Sequence, residues 1–370
     1  MIGLNDFKRQ WQDTKDDALA AFAAVGESGW YILGEEVRCF ETALSGVWGL
    51  RHGVGVASGL DAIEIALRVL GCGPGDKVLT TPLSAFPTTL AILKAGAVPV
   101  FVDTDETGLL DLDRCREVLR KRHDIRFLVP VHLYGHALNL RELASLRDEF
   151  GCRIVEDCAQ SVLASFEGQH TGTVGEMVAT SFYPTKNLGA MGDGGAILTG
   201  NEALCREAQI LRDYGQGAKY RHDQIGYNSR LDELQASLMR RVYLPKLESW
   251  TSRRREIARA YLAGIRNPAL RPVAAPAGSE SVWHLFPVLV AGGRKADFLR
   301  HLAANGIAGG EHYPILIPDQ AAMRAAPHEV SGECTTARAI AHSEVSLPIH
   351  PYLTDGEVEQ VVAASNGWER

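Results

Sequence analysis

At 370 residues, with 46% hydrophobic and 22% charged side chains, the chain is long for one hydrophobic core and has the composition of a globular enzyme. A formal net charge of -7 and an isoelectric point near 6.0 argue against nucleic acid or an anionic membrane as the main partner. No uncharged apolar run approaches the roughly 18 residues of a membrane span, and Met1 to Lys15 lacks the basic-then-apolar order of a secretory signal. The seven cysteines are scattered, odd in number and free of CxxC spacing, which favours reduced thiols and a cytoplasmic setting over a disulfide frame. No metal site is expected.

The predicted elements alternate in type along the first half of the chain. His52–Ala57 reads as a strand, Asp61–Leu70 as a helix and Lys77–Thr81 as a strand. A helix over Thr88–Ala95, strand Val98–Val102, a helix near Asp111–Lys121 and strand Phe127–Val131 follow. Leu140–Phe150 is again helical, and Arg153–Glu156 is a further strand. This rhythm predicts an α/β fold with a mostly parallel sheet covered on both faces. Between Gly175 and Gly200 it changes to short strands with glycine turns, as for an antiparallel edge. Leu231–Ile265 reads as one long or two consecutive helices, and Asn267–Glu280, with three prolines, as a connection. The expected organisation is a large domain over 1–245 and a smaller C-terminal α/β domain over 246–370.

One lysine stands out. Lys186 lies between a strand ending at Ser181 and the glycine-dense turn Gly189 to Gly195. Glycines allow backbone to approach a lysine that must reach a cofactor carbon. A Schiff base between Lys186 and pyridoxal phosphate would need a carboxylate for the ring nitrogen, a phosphate cradle and a stacking side chain. Asp157 follows an apolar strand, at the end of a parallel sheet where ligands bind; the alternative is that it caps the next helix. Val54 to Ala62 runs from strand to helix through small residues, so that backbone N–H groups at the helix start would face an anion. The hydroxyl of Ser181 is a further phosphate donor. Phe86 offers a stacking ring but fits core packing as well. Gln160 reads as a cofactor contact or a solvent-facing residue, His132 as a strand-end residue, and His312 as a cleft or turn residue. Neither His132 nor His312 reads as having metal-ligand spacing with other His, Cys or Asp residues.

Taken together, Ser58 to Ala62, Val131 to Gly135, Glu156 to Gln160, Ser181 to Ala196 and Gly226 to Ala236 resemble the DegT/DnrJ/EryC1/StrS family of sugar aminotransferases, from about Asp6 to about Leu353. The resemblance implies a fold type I pyridoxal phosphate-dependent transferase, usually a homodimer with active sites at the subunit interface. It implies that Lys186 forms the Schiff base and shuttles protons, that Asp157 holds the pyridine nitrogen and that Gln160 lies near the ring. Gly59, Leu60 and Ser181 would bind the phosphate, Asn228 would reach the phosphate of the neighbouring subunit, and Phe86 would stack on the ring. Tyr183, His312 and Tyr313 are candidates for substrate contact.

L-Glutamate would donate the amino group to a keto sugar on a nucleoside diphosphate. The openings Leu4 to Gln10 and Ser28 to Gly34, and Leu60 where many relatives have Thr, look most like members acting on dTDP-3-oxo-6-deoxyhexoses. A 4-oxo sugar is the alternative. The family's dehydratases carry histidine at the lysine position, and a non-catalytic fold relative would have no chemical need for Lys186, Asp157, Ser181 and Asn228 together. The chain departs from the family pattern at Val162, Leu316 and Pro318, which puts sugar recognition in question.

Overall fold

The computed structural model describes residues 1–369. The first half builds a sheet from β1 (His52–Val56), β2 (Lys77–Thr80), β3 (Val98–Val102), β4 (Ile125–Val129), β5 (Arg153–Asp157), β6 (Met177–Ser181) and β7 (Gly195–Thr199). Of the later strands, β8 (Leu270–Pro272), β9 (Phe286–Val290) and β11 (Glu344–Leu347) form a second, antiparallel sheet, whereas β10 (Glu329–Ser331) joins the first. The large sheet runs in the order β1-β7-β6-β5-β4-β2-β3-β10. It is parallel except for β7, which runs against both neighbours. The antiparallel strand expected near Gly195 is therefore present but lies inside the sheet, with β1 outside it. Apart from β10, its strands are mostly buried, as in a sheet covered on both faces.

The helices follow the sequence pattern with shifts of one or two residues: α3 (Gly59–Val69), α4 (Phe86–Lys94), α5 (Leu112–Lys121) and α6 (Leu140–Phe150), numbered after α1 (Phe7–Ser28) and α2 (Glu35–Val47) at the start of the chain. Each start has a physical reason where a cap exists. Ser58 Oγ accepts the Asp61 N–H at 3.1 Å, Asp111 caps α5 and Asn139 caps α6. The segment after Leu231 is neither one straight helix nor two clean ones. A helix over Glu233–Leu238 widens to a π turn at Met239–Tyr243 and tightens to a 3-10 turn at Leu244–Lys246 before a long helix over Leu247–Gly264. Pro245 sits at the irregularity, where its missing N–H removes a helical hydrogen bond. Among the described residues no helix is long and apolar enough to cross a membrane.

Three junctions link the parts of the chain on either side of the expected 245/246 boundary. Ile2 pairs with Ile307 and is buried with Phe286 and Val345, so the N-terminus packs on the smaller sheet. In the opposite sense β10 pairs in parallel with β3, and Asp103 at the end of β3 accepts the Thr336 and Ala337 N–H groups. Tyr134 and Gly135 make a third junction. Both have positive φ, and the Val282 N–H donates to the Gly135 carbonyl at 3.0 Å. A Cβ on Gly135 would stand 2.8 Å from the His284 backbone nitrogen and 2.9 Å from that of Trp283. Gly135→Ala is expected to lower unfolding free energy by about 1–3 kcal/mol or more, from positive φ and contact together, read as a reduced urea midpoint.

Candidate active site

Strand register assembles the site. Val56 at the end of β1 and Ser181 at the end of β6 both stand opposite Gly195 at the start of β7. Asp157 at the end of β5 pairs with Ala179, two residues before Ser181. Four segments distant in sequence thus end on one edge, at the carboxyl side of the parallel strands. Two close approaches require glycine. A Cβ on Gly59 would come within 2.6 Å of the Ser181 Cβ, and one on Gly195 within 2.4 Å of the Ser58 carbonyl group. Above this edge lies a cavity of about 520 Å³, walled on the large-sheet side by Ser58, Gly59, Leu60, Thr88, Asp157, Gln160, Ser181 and Lys186. The smaller sheet and its loops supply His284, Leu285, His312, Tyr313, Leu347 and Ile349.

The loop bearing Lys186 is anchored at both ends. The Phe182 N–H donates to the Gly194 carbonyl and the Ala190 N–H to the Phe182 carbonyl, each at 2.8 Å, while the Phe182 ring is fully buried edge-on to Phe40. Lys186 is carried at the tip. Burial pulls its amine down to about 8, and the nearby Asp157 carboxylate opposes that shift. Asp157 accepts the Thr88 hydroxyl at 2.8 Å and the Ala159 N–H at 3.0 Å. Burial holds its carboxyl above the usual range, and Ala159, Thr88 and Lys186 offset only part of this.

Those features fit pyridoxal phosphate. A carboxylate has about four acceptor sites, and Asp157 uses two while buried. A protonated ring nitrogen would supply the missing positive partner. The start of α3, with the hydroxyl of Ser181 packed against Gly59, is a cradle for a phosphate, where N–H groups and the helix dipole favour an anion. Gln160 is fixed at both ends of its amide: its oxygen accepts the Tyr134 N–H at 2.7 Å and its nitrogen donates to the Tyr313 hydroxyl at 3.2 Å.

Other sequence candidates fall differently. Phe86 does not line the cavity; it is half-buried against Phe101, Ile317 and Met323, because α4 presents Ala85, Pro87 and Thr88 to the cavity instead. The stacking ring expected there is thus turned onto a core cluster. Asn228 is exposed and lies outside the cavity of its own chain. Its neighbour Ser229 donates to Asp61 and accepts the Ala57 N–H, which pins this segment beside the start of α3. Tyr183 lines the cavity and is 54% exposed. His132 is spent structurally, with Nε2 2.9 Å from Glu156 and Nδ1 accepting the Leu138 N–H.

Glu156, which burial alone would raise, is brought below the usual range by His132 and by the N–H groups of Gly175 and Gly172. That leaves the His132–Glu156–Cys158 cluster with its histidine and carboxylate already bonded within the chain. Val162 and Leu316 are buried in core clusters and do not line the cavity.

His312 is held from behind. Glu344 accepts its backbone N–H at 2.6 Å, and Ser346 Oγ lies 2.9 Å from its Nδ1. Burial pushes Glu344 up to about 7 and His312 down to about 4. Thr88, Asn187 and His284 were not marked by the sequence. Thr88 lies in an apolar helical stretch, and His284 precedes an apolar strand, so both read as core until strands from different parts of the chain are brought together.

The parallel sheet with one reversed strand, and a half-buried lysine sharing one cavity with a buried carboxylate at its edge, define a fold type I pyridoxal phosphate-dependent transferase. The model of the DegT/DnrJ/EryC1/StrS aminotransferase family matches residues 12–366, and the chain belongs to that family. A dTDP-3-amino-3,4,6-trideoxy-alpha-D-glucose transaminase of Streptomyces venezuelae is 40% identical over 98% of this chain and 95% of its own. A UDP-N-acetyl-3-dehydro-alpha-D-glucosamine 3-aminotransferase of Acidithiobacillus ferrooxidans is 34% identical over 97% and 96%. The crystal structure of S. venezuelae DesV in complex with a ketimine intermediate superimposes with a TM-score of 0.94 at 38% identity, covering 100% of this chain and 98% of that one.

Lys186 is expected to react with an amine-acylating reagent with a midpoint near pH 8 in cofactor-free protein, well below an ordinary lysine at 10.5. Asp157→Asn removes the negative charge that favours the ammonium, so the midpoint should move lower still, followed by peptide mass spectrometry across pH. A midpoint near that of surface lysines would contradict this picture.

Proposed function

We propose that this aminotransferase moves an amino group from L-glutamate to a dTDP-linked 3-oxo-6-deoxyhexose, using pyridoxal phosphate. The observation that carries the reading is the meeting of Lys186 and Asp157 in one cavity beside a glycine and hydroxyl cradle. Bound pyridoxal phosphate supplies the electron sink that lets a proton leave the carbon bearing nitrogen. Asp157 keeps the ring nitrogen protonated, with Thr88 and Ala159 fixing the carboxylate. Gly59, Leu60 and Ser181 hold the phosphate. Lys186 would hold the cofactor through Nζ, and its amine is suited to take and return the substrate proton, a task for a group balanced near pH 8.

The preference for C3 is supported by two relatives whose names place the amino group there on different nucleotides. The dTDP carrier follows the more similar of the two. Asn228 is read as a contact to the phosphate of a second copy, so that a homodimer shares its sites. Its exposed position outside the cavity of its own chain suits that role.

Lys186→Ala is expected to lose the visible cofactor band and at least about 10²–10⁴ in turnover. In the wild-type chain that band should shift on adding glutamate and return on adding the keto sugar. Amination of a 4-oxo but not a 3-oxo dTDP sugar would overturn the C3 assignment. Mixing inactive Lys186→Ala with inactive Asn228→Asp should restore partial activity through hybrid dimers, whereas no recovery in a verified hybrid would contradict shared sites.

A further inference from the structure

His284 has no role in the reading above, yet several constraints converge on it. The preceding Trp283 has φ +48, a left-handed backbone that a bulky residue keeps only when its surroundings fix it. Its N–H donates to Ser281 Oγ at 3.0 Å, and its carbonyl accepts Arg254 Nη1 at 3.3 Å. The same Arg254 nitrogen donates to the Ile349 carbonyl at 2.6 Å, tying two cavity-wall segments together.

The ring is also fixed. His284 Nδ1 lies 3.2 Å from Asn187 Oδ1, and Asn187 Nδ2 donates to the Val282 carbonyl at 3.1 Å. The amide nitrogen is thereby spent on a carbonyl, so Asn187 Oδ1 must accept and His284 Nδ1 must carry the proton. The lone pair of Nε2 is left over. Among the described residues no donor reaches it, and the side chain lines the cavity that contains Lys186. Burial, with the positive charges of Lys186 and Arg254 nearby, holds His284 well below the usual imidazole range and therefore neutral at pH 7.

A neutral imidazole with its lone pair forward repels a carboxylate and accepts a hydrogen bond from a hydroxyl. Of the two substrates proposed above, glutamate brings carboxylates and the sugar ring brings hydroxyls. We propose that His284 is a sugar-binding residue whose Nε2 accepts a hydrogen bond from a ring hydroxyl, with Asn187 and Arg254 as the residues that position it. The proposal rests on the aminotransferase reading and adds a contact that separates its two half-reactions.

The test is calorimetric titration of wild-type and His284→Phe holoenzymes with dTDP-3-amino-3,6-dideoxyhexose and with dTDP alone. The rate at which glutamate shifts the visible band is measured alongside. The expected result is about 10- to 100-fold weaker binding of the amino sugar, unchanged dTDP binding and a glutamate rate within about twofold of wild type. Equal affinity of both proteins for the amino sugar overturns the proposal, as does a parallel loss of dTDP binding or of the glutamate rate. A wild-type chain that responds to glutamate but binds the amino sugar no better than dTDP removes the sugar reading itself. Should the Phe variant fail to load cofactor, His284→Ala carries the same comparison.

Discussion

The rest of the structure depends on keeping an amine and a carboxyl group in one water-poor cavity without letting them neutralise each other. Burial disfavours the charged form of both, so Lys186 falls and Asp157 rises, while their mutual attraction opposes each shift. Asp157 is steadied by a hydroxyl and an N–H rather than a cation, which leaves acceptor capacity for a ligand. Lys186 is steadied by its loop, through Phe182, Ala190 and Gly194, rather than by a salt bridge to its side chain. A direct ion pair would satisfy both groups and leave neither free for chemistry.

The same economy extends to the histidines. His132 is bonded on both nitrogens and serves Glu156, which in turn gathers the N–H groups of Gly172, Val174 and Gly175 beneath the site. His284 and His312 have Nδ1 engaged by Asn187 and Ser346, and burial keeps both neutral. One imidazole is a strut, and two are presented to the cavity from the smaller sheet. Residue type does not separate these roles; the partner of the second nitrogen does.

Much of this was legible in the linear chain. The passage from strand to helix through small residues over Val54 to Ala62, the apolar strand running into Asp157 and the glycine-bounded Lys186 segment are local patterns, and each appears within a residue or two of where the sequence places it. Phe86 had two readings, ring stacking or core packing, because a helix has more than one buried face: its ring packs on Phe101 and Ile317, and the second of these comes from the far end of the chain. Thr88 and His284 were invisible for a related reason. Each sits in an apolar neighbourhood where a polar side chain carries no periodic signal, and each gains meaning from a partner 69 or 97 residues away.

By itself the sequence determined the strand–helix alternation, the lysine and carboxylate, and the glycines that let Ser58 and Ser181 approach their neighbours. Those properties follow from short-range sterics and hydrogen bonding, which act over a few residues. Only the tertiary structure decided which strand edges meet, that β7 runs reversed inside the sheet, and that His284 and His312 close the cavity from the other sheet. Register and packing across the two sheets fix these arrangements, and both depend on contacts between residues far apart in the chain.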